Sequence, residues 1–146
     1  MAIGKCLCGS ISFEADVSNV DLYQCHCSLC RRQSGAASNA ATSIPLSAFR
    51  WLSGTSLITS WVKDTGFRSD FCSKCGSPVP NPLRGTDLVW IPAGLLEGNV
   101  EMRVVAHIHV ASSAAWDPRP DANACLVYDG DPKLDEFLAA LWRKHR

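Results

Sequence analysis

The sequence carries no net charge: its 14 basic and 14 acidic residues cancel, so no long-range field exists to gather nucleic acid or an anionic membrane. No apolar run approaches the roughly 18 residues that a membrane-spanning helix needs. The start, Met1 to Cys8, lacks the apolar core of a secretion signal. There is no internal repeat and no low-complexity segment. These absences argue against nucleic acid and membrane as partners, favour small molecules and predict a cytoplasmic protein. The oligomeric state stays open, a homo-oligomer included. A length of 146 residues suits a single domain spanning 1–146.

What the chain has in excess is cysteine. In a reducing compartment thiols stay free, so eight cysteines in a chain this short suggest metal binding or redox chemistry before a disulfide framework. Seven of the eight fall into three groups: Cys6 and Cys8 in CLCG, Cys25, Cys27 and Cys30 in CHCSLC, and Cys72 and Cys75 in CSKCG. Zinc binds thiolate well and prefers a tetrahedron of four ligands, which two short-spaced pairs brought together by a fold can supply. The first and last groups make such a set. Each ends in a glycine, Gly9 or Gly76, able to take the positive φ of a tight turn and leave backbone N–H groups facing the sulfurs. Cys6, Cys8, Cys72 and Cys75 are thus expected to hold a closed, structural zinc that clasps segments distant in sequence.

The middle group differs, because no glycine follows Cys30 and Arg31 and Arg32 come instead. Three thiolates leave one tetrahedral position vacant, and a vacant position separates a catalytic zinc from a structural one. Two other readings stand beside this. CSLC or CSKC alone could be a redox pair, although that motif usually sits in a βαβ context. The middle ion could also be closed by Cys125, His107 or His109, leaving two structural sites. Cys125, without a partner in the motif, reads most simply as a buried thiol.

The rest of the pattern is mainly β. Ser10 to Ala15 alternates, with Ile11, Phe13 and Ala15 on one face, as a half-buried strand does. Further strands are expected at Leu22 to Gln24, Ser38 to Ile44, Phe49 to Leu52, Leu57 to Val62, Gly66 to Phe71, Leu88 to Pro92 and Met102 to His109, separated by Gly, Pro, Ser and Asp signals. Pro78, Pro80 and Pro82 mark an edge or loop. Near the end, Leu134, Phe137, Leu138, Leu141 and Trp142 follow helical spacing. Asp131 as cap, Pro132 at the first helical position and Arg143, Lys144 and His145 at the far end complete the expected helix.

CLCG, CHCSLCRRQSGA, FCSKCGSP and HIHVASSAAW, in that order, give the chain a specific resemblance to the glutathione-dependent formaldehyde-activating enzymes, a family related to centromere protein V. The resemblance implies a zinc-pinned β-tent of folded antiparallel sheets. It implies a structural zinc on Cys6, Cys8, Cys72 and Cys75 and a catalytic zinc on Cys25, Cys27 and Cys30. It also implies a carbon–sulfur lyase that joins formaldehyde to the thiol of glutathione, the cosubstrate. The chemistry is sound, since a thiol on zinc loses its proton and becomes a held nucleophile. Three thiolates with Zn²⁺ leave a net charge of about −1, which favours binding of a substrate thiolate over generation of hydroxide.

Around that centre, Arg31 and Arg32 are candidates for the carboxylates of glutathione, and His26, between two ligands, could move a proton or point to solvent. His107 and His109, two apart on an expected strand, would share one face, and the resemblance places them near the open zinc. Trp116, with the Asp117–Pro118 turn after it, could wall a pocket. The competing function is a non-catalytic zinc module that binds a partner or carries a thiol. The sequence argues mildly against it, having no basic extension or long charged segment.

Overall fold

The computed structural model describes residues 1–143 of the chain. In chain order its strands are β1 (Ala2–Lys5), β2 (Ser12–Ala15), β3 (Leu22–Cys25), β4 (Asn39–Pro45), β5 (Phe49–Ser53), β6 (Ile58–Val62), β7 (Arg68–Cys72), β8 (Asn81–Pro82), β9 (Leu88–Pro92), β10 (Val104–Ile108) and β11 (Leu126–Val127), and its helices are α1 (Ser28–Ser34) and α2 (Leu134–Leu141). The chain is mainly β, as its short alternating segments require. The residues group into two compact units, one of Met1–Ser18 with Ser43–Glu101 and the other of Asn19–Thr42 with the segment from Met102 onward.

In the first unit, β2 is the central strand of an antiparallel set, paired with β1 on one side and β5 on the other. Its alternation decides which face is buried: Ile11, Phe13 and Ala15 are each 0% exposed. Phe13 lies opposite Gly4 of β1 and Trp51 of β5. Its ring stacks on Phe49 at 5.4 Å and meets Trp51 edge-on at 6.1 Å. Gly4 is what admits that ring, because a Cβ there would lie 2.1 Å from Phe13 Cζ. The strand β1, which the sequence pattern did not announce, follows from this fit. β6 and β7 form an antiparallel hairpin, and the proline-rich stretch contributes the two-residue β8, paired antiparallel with β9.

In the second unit the pairing is mixed. β3 pairs antiparallel with β4 but parallel with β10, which in turn pairs parallel with β11. Helix α2 buries Phe137 and Leu141, and Phe137 meets Tyr23 of β3 edge-on at 4.7 Å. The backbone N–H of Asp21 donates to Leu141 O at 2.8 Å.

The helix occurs where its apolar spacing predicts, but it starts differently. Its cap position is Lys133, whose side chain makes no capping bond, and Pro132 precedes the cap rather than occupying the first turn. Asp131 instead pairs with His109 Nε2 at 2.6 Å, so its carboxylate is engaged outside the helix. Asp135 and Glu136 place negative charge in the first turn, where the helix dipole favours it. Arg143 reaches back to Val20 O and the Asp21 carboxylate. Lys144 and His145 lie outside the described residues. No described helix is long and apolar enough to cross a membrane.

Candidate metal centres

Cys6 follows β1, Cys8 lies in the turn before β2, Cys72 ends β7 and Cys75 lies in the turn after it. Both turns close on glycine: Gly9 N–H donates to Cys6 O at 2.9 Å and Gly76 N–H to Cys72 O at 2.7 Å, with φ of 77° and 75°. The amides freed by these turns face sulfur, as Ile11 N–H does at 3.3 Å from Cys6 Sγ. The four Sγ atoms all lie within 4.8 Å of one another.

Ligands at a Zn–S distance of about 2.3 Å sit about 3.8 Å apart on a tetrahedron. The Sγ separations of 3.7 Å for Cys6–Cys8 and 3.9 Å for Cys8–Cys72 meet that requirement. No described cysteine is in a disulfide. The Ser10 hydroxyl and N–H beside Cys8 hold its thiol down to about 6, whereas burial pushes the Cys72 thiol up.

The second cluster is built where a strand hands over to a helix. Cys25 ends β3, Cys27 is the N-cap of α1, and Cys30 lies in its first turn, its N–H donating to Cys27 Sγ at 3.2 Å. Their Sγ atoms also lie within 4.8 Å of one another, and among the described residues no fourth His, Cys, Asp or Glu joins the group. Contact with the sulfurs of Cys25 and Cys30, together with the nearby backbone N–H groups, holds Cys27 down at about 2. Its sulfur in turn pushes Cys25 up to about 12, and Cys25 and Cys27 together raise Cys30. Three thiols this close ionise together only beside a cation, which is what a metal ion supplies.

The sequence reading missed α1, whose seven residues bury no side chain and so show no apolar stripe. The residues that could have closed the second cluster are engaged elsewhere: Cys125 Sγ donates to Asp121 O at 3.4 Å, and Cys125 is half-buried rather than buried. His109 does not share a face with His107. It leaves the strand with φ 54° and ψ 37°, and its ring bonds Asp131.

His26 does not point to solvent. It is 3% exposed, with Nδ1 3.1 Å from Asp117 Oδ2 and Nε2 2.8 Å from His107 Nδ1. Asp117 is the partner that sequence reasoning did not find, and no local signal marks a contact across 91 residues. Arg31 and Arg32 both lie on α1, with Arg31 half-buried and Arg32 exposed. The Arg31 Nε is buried without a hydrogen-bond partner. Trp116 is 72% exposed, so it is not a core residue.

A mainly β scaffold with one four-thiol and one three-thiol cluster, both spaced for a tetrahedral ion, defines a metal-binding protein of the zinc type. The family-model comparison is specific: residues 1–112 match the model described as glutathione-dependent formaldehyde-activating enzyme, and the chain belongs to that family. A search of the curated proteins gives no match. Among solved structures the chain is similar to a crystal structure of a Rhodobacter sphaeroides protein, with 26% identity and a TM-score of 0.58 over 70% of this chain and 99% of that one.

Proposed function

We propose that the chain is a zinc-dependent carbon–sulfur lyase of the formaldehyde-activating type, which joins a thiol such as glutathione to formaldehyde or a similar small carbonyl. The observation that carries this reading is the Cys25, Cys27 and Cys30 cluster, three thiols with no fourth donor among the described residues. Zinc held there would keep one position for a ligand and stabilise the thiolate form of a substrate bound at it. The four-thiol cluster, completed by protein alone, takes the structural role.

The remaining roles belong to the chain itself. Arg31, whose buried Nε has no partner, is suited to bind a carboxylate of glutathione, with Arg32 beside it on the same helix. His26 and His107 are joined to each other and supply the imidazoles of the site. Trp116 offers an exposed aromatic face to a small substrate, and His109, tied to Asp131, shapes the segment that follows β10.

The experiment is metal analysis and zinc X-ray absorption with and without glutathione, alongside an assay of adduct formation corrected for the spontaneous reaction. Two zinc ions per chain, an additional sulfur on zinc when glutathione is added, and turnover above background are expected. A single ion, or no change in sulfur coordination with no turnover, overturns the reading in favour of a non-catalytic zinc module.

A further inference from the structure

Helix α1 follows Cys27, its cap, and contains Cys30, yet it has little of its own to hold it in place. It is seven residues long and buries no side chain. Isolated helices shorter than about 12–15 residues are marginal in water, and helices in proteins are held mostly by packing of an apolar face. Without such a face, polar contacts set where α1 stands against the strand that ends in Cys25.

One such contact is part-buried. Asn39 Nδ2, at the first residue of β4, donates to Gln33 Oε1 of α1 at 2.7 Å. The Ser34 hydroxyl also reaches across this junction, 3.1 Å from Ser38 O, but that contact is exposed. Water replaces an exposed bond at little cost, whereas a buried amide that loses its partner stays unsatisfied. Asn39 is 7% exposed, although asparagine is depleted from strands and is found mostly at the surface.

Both ends of this bond stand next to a thiol of the second cluster. Asn39 is the register partner of Cys25 in the antiparallel pairing of β3 and β4. Residues directly opposite on neighbouring strands have Cβ atoms about 4.5–5.5 Å apart on one face of the sheet. Gln33 is three positions after Cys30 on α1, a spacing that makes side chains neighbours on the helix surface. The amide pair thus joins α1 to the β3–β4 ladder, the two parts whose thiols meet in the cluster. The chain between them is short, because Gly35 ends the helix at φ 66° with its N–H donating to Arg31 O at 2.9 Å.

We propose that Gln33 and Asn39 are positioning residues for the second metal centre: their amide bond sets α1 against β3 and β4, so that Cys27 and Cys30 meet Cys25 at the spacing one ion needs. The inference rests on reading Cys25, Cys27 and Cys30 as a metal site, and it adds two residues outside that trio. A ligand set held in place by its surroundings binds an ion more tightly than one that the ion must assemble. Arg31 lies on the same helix between Cys30 and Gln33, so the pair also holds the guanidinium assigned above to a substrate carboxylate.

The test is competition for zinc between the zinc-loaded full-length protein and a chromophoric chelator, with Cys27→Ser identifying the ion of the second cluster. Gln33→Met keeps the length of the side chain but offers no amide oxygen, and Gln33→Glu keeps an oxygen acceptor. Gln33→Met and Asn39→Ala should each weaken zinc binding at the second cluster about tenfold and leave the four-thiol zinc unchanged. Gln33→Glu should hold both ions as the wild type does, and the double variant should lose no more than either single one, because the two residues share one bond. Amide hydrogen exchange reads the helix directly: the Arg31 and Gly35 N–H groups, bonded to Cys27 O and Arg31 O, should exchange faster in Gln33→Met than in Gln33→Glu. Wild-type zinc retention in Gln33→Met, equal losses in Gln33→Met and Gln33→Glu, or additive losses in the double variant overturns the proposal. Should Asn39→Ala not fold, the two variants at half-buried Gln33 decide it. If the wild-type protein holds a single zinc, the positioning role falls with the metal site. If it holds two and turns over no thiol–carbonyl pair, the functional reading fails separately, and zinc retention still decides the role of Gln33 and Asn39.

Discussion

At the scale of single residues, the chemistry depends on what each side chain can donate, accept or lose. His107 carries a consequence for stability. Burial is the main reason its imidazole is held below the ordinary 6.5, with His26 adding to the effect and the Asp117 carboxylate opposing it. The folded protein therefore keeps His107 neutral at a pH where the unfolded chain takes up a proton, and stability rises with pH wherever the unfolded state binds more protons. Its contribution is complete above about 6.5 and is lost as pH falls through the lowered folded value. Thermal unfolding followed from about pH 7.5 to about pH 5.5 should show a shallower acid slope for His107→Gln than for wild type. Equal slopes would mean that His107 does not carry the effect.

Residue-level chemistry was legible in the sequence wherever it was local. CLCG and CSKCG each place two thiols and a turn glycine within a few positions, so their geometry follows from the chain itself. The Asp117–His26 contact was not legible, because 91 residues separate its members and an Asp-Pro turn reads only as a turn. His109 shows the same limit. Spacing alone put it on a strand face with His107, but its backbone turns left-handed and its ring bonds Asp131.

At the scale of elements, burial explains which segments hold. α2 presents Phe137 and Leu141 inward, with Leu141 0% exposed and its carbonyl bonded to Asp21 N–H. Leu141→Ala should destabilise the protein by about 2–5 kcal/mol, as the lost transfer energy and the cavity left behind add together. Urea unfolding would measure it, and a cost below about 1 kcal/mol would mean the helix is not held by that face. Asp131→Ala should leave the far-ultraviolet helical signal unchanged, because Asp131 pairs with His109 and does not cap α2. A loss of helical signal would restore Asp131 as the cap.

The positions of most strands were legible from alternation, and Leu88–Pro92 is found with the expected bounds. Their partners were not. Parallel pairing of β3 with β10 joins segments about 80 residues apart, and a period of two is the same in parallel and antiparallel sheets. Helix α1 escaped notice because Cys27 serves both as a thiol of the second cluster and as the N-cap, a position more often held by Ser, Thr, Asp or Asn.

At the scale of the whole molecule, the two clusters fall one in each compact unit and should respond differently to removal. Cys6 and Cys72 belong to the buried core of the first unit with Ile11 and Val79, and Trp51, Leu57 and Ile58 pack against it. Losing the ion there unpairs core thiolates as well as a ligand set. Cys72→Ser should therefore remove one zinc and lower the melting temperature sharply. A metal held at 1,000 times its dissociation constant contributes about 4 kcal/mol. Cys27→Ser should also remove one zinc but leave the first unit folded, with a smaller loss in melting temperature and loss of turnover. Metal analysis combined with calorimetry separates these outcomes. If the two variants melt alike, the division into a structural and a functional ion is wrong.

Cysteine spacing, strand alternation and the helical stripe were determined by the sequence alone, because each is a pattern within a few residues and the backbone period converts it directly into a face or a turn. Tertiary structure alone decided which strands pair in parallel, that His109 bonds Asp131, and that Asp117 lies against His26. These are contacts between parts of the chain that share no local pattern, and only folding brings their atoms within bonding distance.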